Sequence, residues 1–341
     1  MIHALVLAAL LPANSAAAQQ AEIQSTLQLF SHARSTIERE VGKDQAIDVG
    51  IRLVQDGSEI GDPVPDGYSA ADWNETMSTV ISVDTQAIRD LAKGARKPLS
   101  IGEKGLHERF VVSSVDGMWL PVAVYIPPNA AAGAPLAVLL HGNPQTDSEL
   151  LAQPYFRRLA DRTGTILIAP WGRGSYDYEG IAAKDVYDAL NAAQRELSTD
   201  PRRTFLVGYS MGGFSVFKIG PEYGHWSAVM DISGALLNSE VAQVRFSWRD
   251  TPVYVITGKH DVNIPAVYGE ETATYLASIG VPTGFYEQPD GVHYVRTLVP
   301  ALTAAWSDMH AGVIRRDAVP AAAAALPSLP SVEMRTSGLK P

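Results

Sequence analysis

Residues 204–213 read TFLVGYSMGG. The apolar run Phe205-Leu206-Val207 leads into Gly208-Tyr209-Ser210-Met211-Gly212-Gly213, and a helix-compatible stretch continues through Phe217. A G-x-S-x-G pattern between a strand and a helix predicts a nucleophile elbow, a sharp turn that lifts the serine oxygen clear of the sheet. The glycines have a physical task, because so tight a turn leaves no room for β-carbons beside the neighbouring strand and helix. The strand ahead of the turn and the second glycine at 213 make this match far more specific than the five-residue pattern alone.

Further runs rich in β-branched and apolar residues lie on either side, at 110–113, 122–126, 136–140, 165–169, 228–232, 253–257 and 283–288. From the run at 136 onward, helical or loop segments separate them, as parallel strands joined by crossovers require. The expected architecture is therefore a doubly wound α/β sheet. No repeat of fixed period appears, so a solenoid or propeller is not expected.

A serine hydroxyl needs a base within hydrogen-bonding reach, usually an imidazole oriented by a carboxylate. Behind an elbow of this kind the chain order is serine, acid, histidine, which leaves His225, His260, His293 and His310 as bases. His293 is preferred because Pro289-Asp290-Gly291-Val292-His293 forms a loop just beyond the last strand, at the sheet edge where the elbow opens. Asp261 is the preferred acid. It follows the strand 253–257 through Gly258-Lys259-His260, at the carboxyl end where ligands bind in open α/β sheets. Its rivals are Asp231, inside a strand run, and Asp290, whose carboxylate suits the turn it sits in.

An oxyanion formed on a substrate carbonyl needs donors aimed at it. The Met211 amide is one candidate, and the Asn143 amide in His141-Gly142-Asn143-Pro144, the loop after the third strand, is the other. Trp171, Arg173, Tyr176 and Tyr178 follow the fourth strand. Trp171, Arg173 and Tyr176 are candidate cleft residues, although Trp171 and Tyr178 equally suit a role in covering the core. A cleft-facing Arg173 could hold a carboxylate bidentately.

The motifs LLHGNP, GYSMGG, TGKHD and DGVH, in this order across residues 108–313, together resemble the α/β-hydrolase superfamily. The segment Ala169-Pro170-Trp171-Gly172-Arg173-Gly174, with Asp185 in a helical run ahead of GYSMGG, is similar to the prolyl oligopeptidase branch and to the esterases that resemble it. This resemblance implies the α/β-hydrolase fold, an eight-stranded, mostly parallel sheet with helices on both faces, and a Ser210, Asp261, His293 triad. About 100 residues precede the matching region, too few for the propeller of the full peptidases. HGNP is also similar to haloalkane dehalogenases, but those carry an aspartate where this chain has Ser210. Only about 20 residues link the strands ending at Ile232 and starting at Val253, so no large inserted cap is expected. The resemblance is thus closer to uncapped secreted esterases, whose open clefts accept bulky or polymeric acyl donors. The same triad also serves peptidases and amidases, and a non-catalytic binding protein on this scaffold is the remaining alternative.

The flanks differ in character. Residues 1–18 place an apolar run, Ile2 to Leu11, ahead of Ala16-Ala17-Ala18, the shape of a secretory signal, so a secreted or periplasmic protein is expected. Residues 19–105 form an extension whose Ile23, Leu27, Phe30, Ile37 and Val41 recur at helical spacing, with Gly42 as a stop and a second helix around 83–95. The catalytic domain is expected over 106–316, and 317–341 reads as a disordered Pro- and Ala-rich tail. The 341 residues carry 37 acidic and 27 basic side chains, a net −10 that disfavours nucleic acid or an anionic membrane as partner. The chain has no cysteine, which removes disulfides and thiol nucleophiles. No metal-binding or nucleotide-binding motif occurs, so no cofactor is expected, and no stretch reads as a membrane span.

Overall fold

The computed structural model describes residues 16–43, 64, 68–94, 99–174, 177–223 and 225–315. The apolar run 2–11 and the tail 317–341 lie outside the described residues. Eight strands form one sheet: β1 Gly105–Val112, β2 Trp119–Ile126, β3 Leu136–Leu140, β4 Ile166–Pro170, β5 Thr204–Tyr209, β6 Ala228–Ile232, β7 Val253–Gly258 and β8 Thr283–Gln288. Their spatial order is β1-β2-β4-β3-β5-β6-β7-β8. β1 pairs antiparallel with β2, and β2 with β4; all other pairs are parallel. From β3 the chain steps first to β4 on one side and then to β5 on the other. Such a reversal of strand order opens a crevice at the carboxyl ends of β3 and β5.

The central strands β3, β4, β6 and β7 are buried at every position, so they read as runs rich in apolar residues, and their limits are legible to within a residue. β1 begins at Gly105, five residues before its apolar run, because His107, Glu108 and Arg109 disguise its first half. The apolar side chains of the sheet feed two layers. One contains α3 (Asp147–Ala152), α4 (Pro154–Thr163) and α9 (Val295–Ala311), with Leu150, Phe156, Leu302 and Trp306 in its core. The other contains α5 (Ile181–Glu196), α6 (Met211–Tyr223), α7 (Val241–Ser247) and α8 (Ala266–Ser278), built around Leu190, Phe217, Val244 and Leu276. The β6–β7 connection holds only the short helix α7, and among the described residues no strand connection from β3 to β8 carries a cap domain.

The extension supplies α1 (Ala16–Val41) and α2 (Ala70–Ala92). Gln19 Nε2 donates to Ser78 Oγ at 2.8 Å, and the Thr26 and Thr85 hydroxyls meet at 3.0 Å, so the two helices run parallel with one constant offset. Ile37, Val41, Ile88 and Leu91 form a third apolar cluster, joined by Phe110 of β1 and Trp119 of β2. α2 starts 13 residues before the stretch legible as a helix. Ser69 caps it, its Oγ accepting from Asp72 N at 3.1 Å, a signal of serine followed three residues later by an acid. No described helix is long and apolar enough to cross a membrane.

Candidate active site

Ser210 sits between β5 and α6 with φ +54°, a left-handed conformation rare for a residue with a side chain. Its backbone N–H donates to Ile232 O at 2.9 Å, which ties the turn to the end of β6. A β-carbon on Gly208 would lie 2.0 Å from Gly212 O, and one on Gly212 would lie 2.2 Å from Leu140 O. Both glycines are therefore required by close backbone approach, as the pattern demanded.

β7 and β8 deliver the partners. Beyond their ends Lys259 N donates to Gln288 O at 3.0 Å and His260 N to Gly291 O at 2.8 Å, which staples the Asp261 turn to the His293 loop. His293 Nδ1 lies 2.8 Å from Asp261 Oδ2, and its Nε2 lies 2.9 Å from Ser210 Oγ. Asp261 Oδ1 accepts from Asn263 N at 2.9 Å and Ile264 N at 2.8 Å, so its carboxylate is fully engaged although its side chain is fully buried. Such an array can draw the serine proton onto the imidazole and stabilise the cation formed.

The loop after β3 faces the elbow. A β-carbon on Gly142 would touch the Tyr209 ring at 3.0 Å and Ser210 Cβ at 3.1 Å. His141 O accepts from Gly212 N at 3.0 Å, locking this loop to the first turn of α6. The Met211 N–H lies in the first turn of α6, where backbone amides have no acceptor four residues back within the helix, and Asn143 is exposed in the facing loop. Sequence reasoning passes over the side chain of His141, which is buried, with Nδ1 at 3.0 Å from Gly142 O and Nε2 at 2.9 Å from Trp171 O. An ionisable residue ending an apolar strand was the available signal. Tyr178 supports the same loop from the core: it is fully buried, and its hydroxyl accepts from His141 N at 2.9 Å. Burial pushes its phenol well up, so it stays neutral.

The remaining candidates sort by position. Trp171 is half-buried, and Tyr176 lies outside the described residues. Arg173 departs from expectation. Its Nε bonds Asp185 Oδ2 at 2.5 Å, while Nη1 and Nη2 bond Asp116 Oδ2 and Oδ1 at 2.8 and 3.1 Å. The guanidinium spans two carboxylates of its own chain and has no fork left for a substrate carboxylate. Its bonds hold Asp116 down at about 2. Asp231 is fully buried against Gly213 and Gly234, and burial pushes its carboxyl well above the usual range. Asp290, His225 and His260 are exposed, and His310 Nε2 meets Thr165 Oγ1 at 2.7 Å. Tyr209 packs beside the base, its ring 5.5 Å from that of His293. Among the described residues no group of three or more histidine, aspartate or glutamate side chains is placed to hold a metal.

Residues 137–336 match the alpha/beta hydrolase family. Over 100 residues the chain is 30% identical to a bifunctional acetylxylan esterase/xylanase of Neocallimastix patriciarum, covering 28% of this chain and 15% of that protein. Over 238 residues it is 27% identical to a dipeptidyl-peptidase 5 of Porphyromonas endodontalis, covering 55% of this chain and 34% of that one. The chain thus spans 15% and 34% of these relatives' own lengths. Its fold is shared with a poly(3-hydroxybutyrate) depolymerase from Bordetella parapertussis, with a TM-score of 0.52, 17% identity, and coverage of 64% of this chain and 95% of that one.

Proposed function

The chain belongs to the alpha/beta hydrolase family, and from that premise we propose that it is a serine carboxylic-ester hydrolase working through an acyl-enzyme. The observation that carries this reading is the unbroken bonding from Asp261 through His293 to Ser210, at 2.8 and 2.9 Å. In the proposed cycle Ser210 Oγ attacks the ester carbonyl while its proton passes to His293 Nε2. The oxyanion accepts hydrogen bonds from the Met211 and Asn143 amides. The C–O bond to the alcohol then breaks, His293 returns the proton to the departing oxygen, and Asp261 keeps the imidazole in the required tautomer throughout. Water repeats the sequence on the acyl-enzyme to release the acid.

Two features favour bulky or polymeric esters: the short β6–β7 connection, and Val262, which is 86% exposed directly beside the acid. The similarity to an acetylxylan esterase segment supports the ester reading, and the similarity to a dipeptidyl-peptidase favours a second one, amide hydrolysis by the same triad. We also propose export from the cytoplasm, on the strength of the apolar run Ile2 to Leu11 ahead of Ala16-Ala17-Ala18. Cleavage after Ala18 would trim only three residues from α1 and leave the Gln19–Ser78 bond intact. Intact-mass analysis of the chain recovered outside the cytoplasm tests that point.

The functional test is turnover of a p-nitrophenyl ester series beside matched aminoacyl p-nitroanilides, with wild type and Ser210→Ala, together with fluorophosphonate labelling. Ester turnover and labelling that both vanish in Ser210→Ala, without anilide cleavage, support the esterase. Efficient anilide cleavage moves the reading to peptidase, and a folded wild type that neither turns over nor labels overturns both.

A further inference from the structure

We infer that Tyr68, carried by the N-terminal extension, is a positioning residue for the oxyanion loop, so that the extension is a working part of the active site. The inference rests on the esterase reading. Tyr68 precedes α2, and its ring lies 5.0 Å from that of Trp73 in an edge-to-face contact. Its hydroxyl donates to Glu149 Oε1 at 3.3 Å and accepts from Gln153 Nε2 at 2.7 Å. Glu149 lies in the first turn of α3, the helix that follows the 141–146 loop, and its Oε1 also takes a long bond from Gln145 Nε2 at 3.5 Å. Gln145 is two residues from Asn143, the proposed donor. The extension thus holds the helix and, through it, the downstream end of the oxyanion loop.

A second contact points the same way. The charge of Glu149 also bears on the Tyr209 phenol, and that phenol in turn on Tyr68. The Tyr209 ring borders Gly142 of the same loop and lies against the His293 ring. Burial of Tyr68 is the first cause of its raised pKa, so its hydroxyl keeps its proton for Glu149. α2 is itself fastened to this part of the catalytic domain, since Glu75 Oε1 pairs with Arg157 Nη2 of α4 at 3.4 Å. A donor amide displaced by a fraction of an ångström loses transition-state stabilisation while ground-state binding stays unchanged.

The test is a double-mutant cycle of Tyr68→Phe and Glu149→Ala in the full chain, with kcat per site set by fluorophosphonate active-site titration. A trifluoromethyl ketone, which forms a tetrahedral adduct on Ser210, reports the oxyanion hole separately from substrate binding. Tyr68→Phe is expected to lower kcat about fivefold with KM unchanged within about twofold, and to weaken the ketone by the same factor as kcat. The double variant should lose no more than Glu149→Ala alone. Wild-type kcat per titrated site in Tyr68→Phe, or losses that multiply in the double variant, would overturn the inference while leaving the esterase reading intact. A wild type inert toward every ester would remove that reading instead. If Tyr68→Phe fails to fold, Gln153→Leu, which removes the other partner of the same hydroxyl, is expected to show the matched loss in kcat and ketone affinity.

Discussion

The ends of β6 and β7 are neighbours in the sheet, and each carries an aspartate withdrawn from solvent. At the end of β7, Asp261 is met by an imidazole and two backbone N–H groups. Inside β6, Asp231 is packed against glycine backbone, and burial makes it a weak acid. The two residues share a type and a depth, so their difference lies in their partners. Removal from water disfavours the ionised form of Asp231, and the Gly234 backbone N–H does not offset it, whereas Asp261 has an imidazole and two backbone N–H groups as partners. The Gly258–Asp261 turn makes that possible, because it carries the acid past the last paired residue of β7 to where Asn263 and Ile264 can bond it. Asp231 remains within the ladder, where its strand's own N–H groups are already used.

The hardest test of this contrast is substitution by asparagine at each site. Asp261→Asn should lower kcat by about 10⁴-fold with the fold intact, because an amide donates where the imidazole N–H needs an acceptor. Asp231→Asn should leave kcat within about threefold. Steady-state kinetics on one ester measures both, and equal losses would erase the distinction.

A third aspartate sharpens it. Asp185, with only 2% of its side chain exposed, is paired with Arg173. Arg173→Met would convert that site into one resembling Asp231, and is expected to cost about 3 kcal/mol of stability in urea unfolding, the usual penalty for orphaning a buried charge. KM for anionic and neutral esters should then shift together. A selective loss for anionic substrates would restore Arg173 as a substrate ligand.

A further effect is a slope. The Asp231 pKa is raised in the folded state, so its contribution is full below the unfolded value of about 3.9 and is lost as pH climbs towards the folded one. Above about pH 4 the wild type should therefore lose stability relative to Asp231→Asn, by up to about 1.4 kcal/mol per pH unit. Urea titrations of both proteins from about pH 5 to pH 8 measure this, and parallel curves would show that Asp231 ionises normally in the fold.

The parts of the site legible in the sequence were those fixed by short-range geometry. Gly208 and Gly212 announce the elbow because only glycine tolerates the approach of Gly212 O and Leu140 O. Strands buried on both faces announce themselves as apolar runs, which placed the ends where His293 and Asp261 stand. The position of Arg173 after β4 suggests a cleft, whereas its observed partners Asp116 and Asp185 lie 57 and 12 residues away in the chain. Tyr68 was invisible for the same reason, since 81 residues separate it from Glu149. Long-range polar pairing leaves no periodic trace, and a lone tyrosine ahead of a helix has no distinguishing pattern.

The parallel pair α1 and α2 has a consequence for the order in which the chain acquires structure. On a ribosome these helices emerge ahead of the sheet, with an apolar seam of Ile37, Val41, Ile88 and Leu91 that Phe110 and Trp119 help to cover. Both belong to β1 and β2, the next segments to appear and the ones joined by a local antiparallel hairpin. This cluster can close before any of the parallel pairs, which must each wait for a crossover. The half-made protein thus shelters this greasy seam with its own nearest neighbours, while the segment holding Ser210 is still being synthesised.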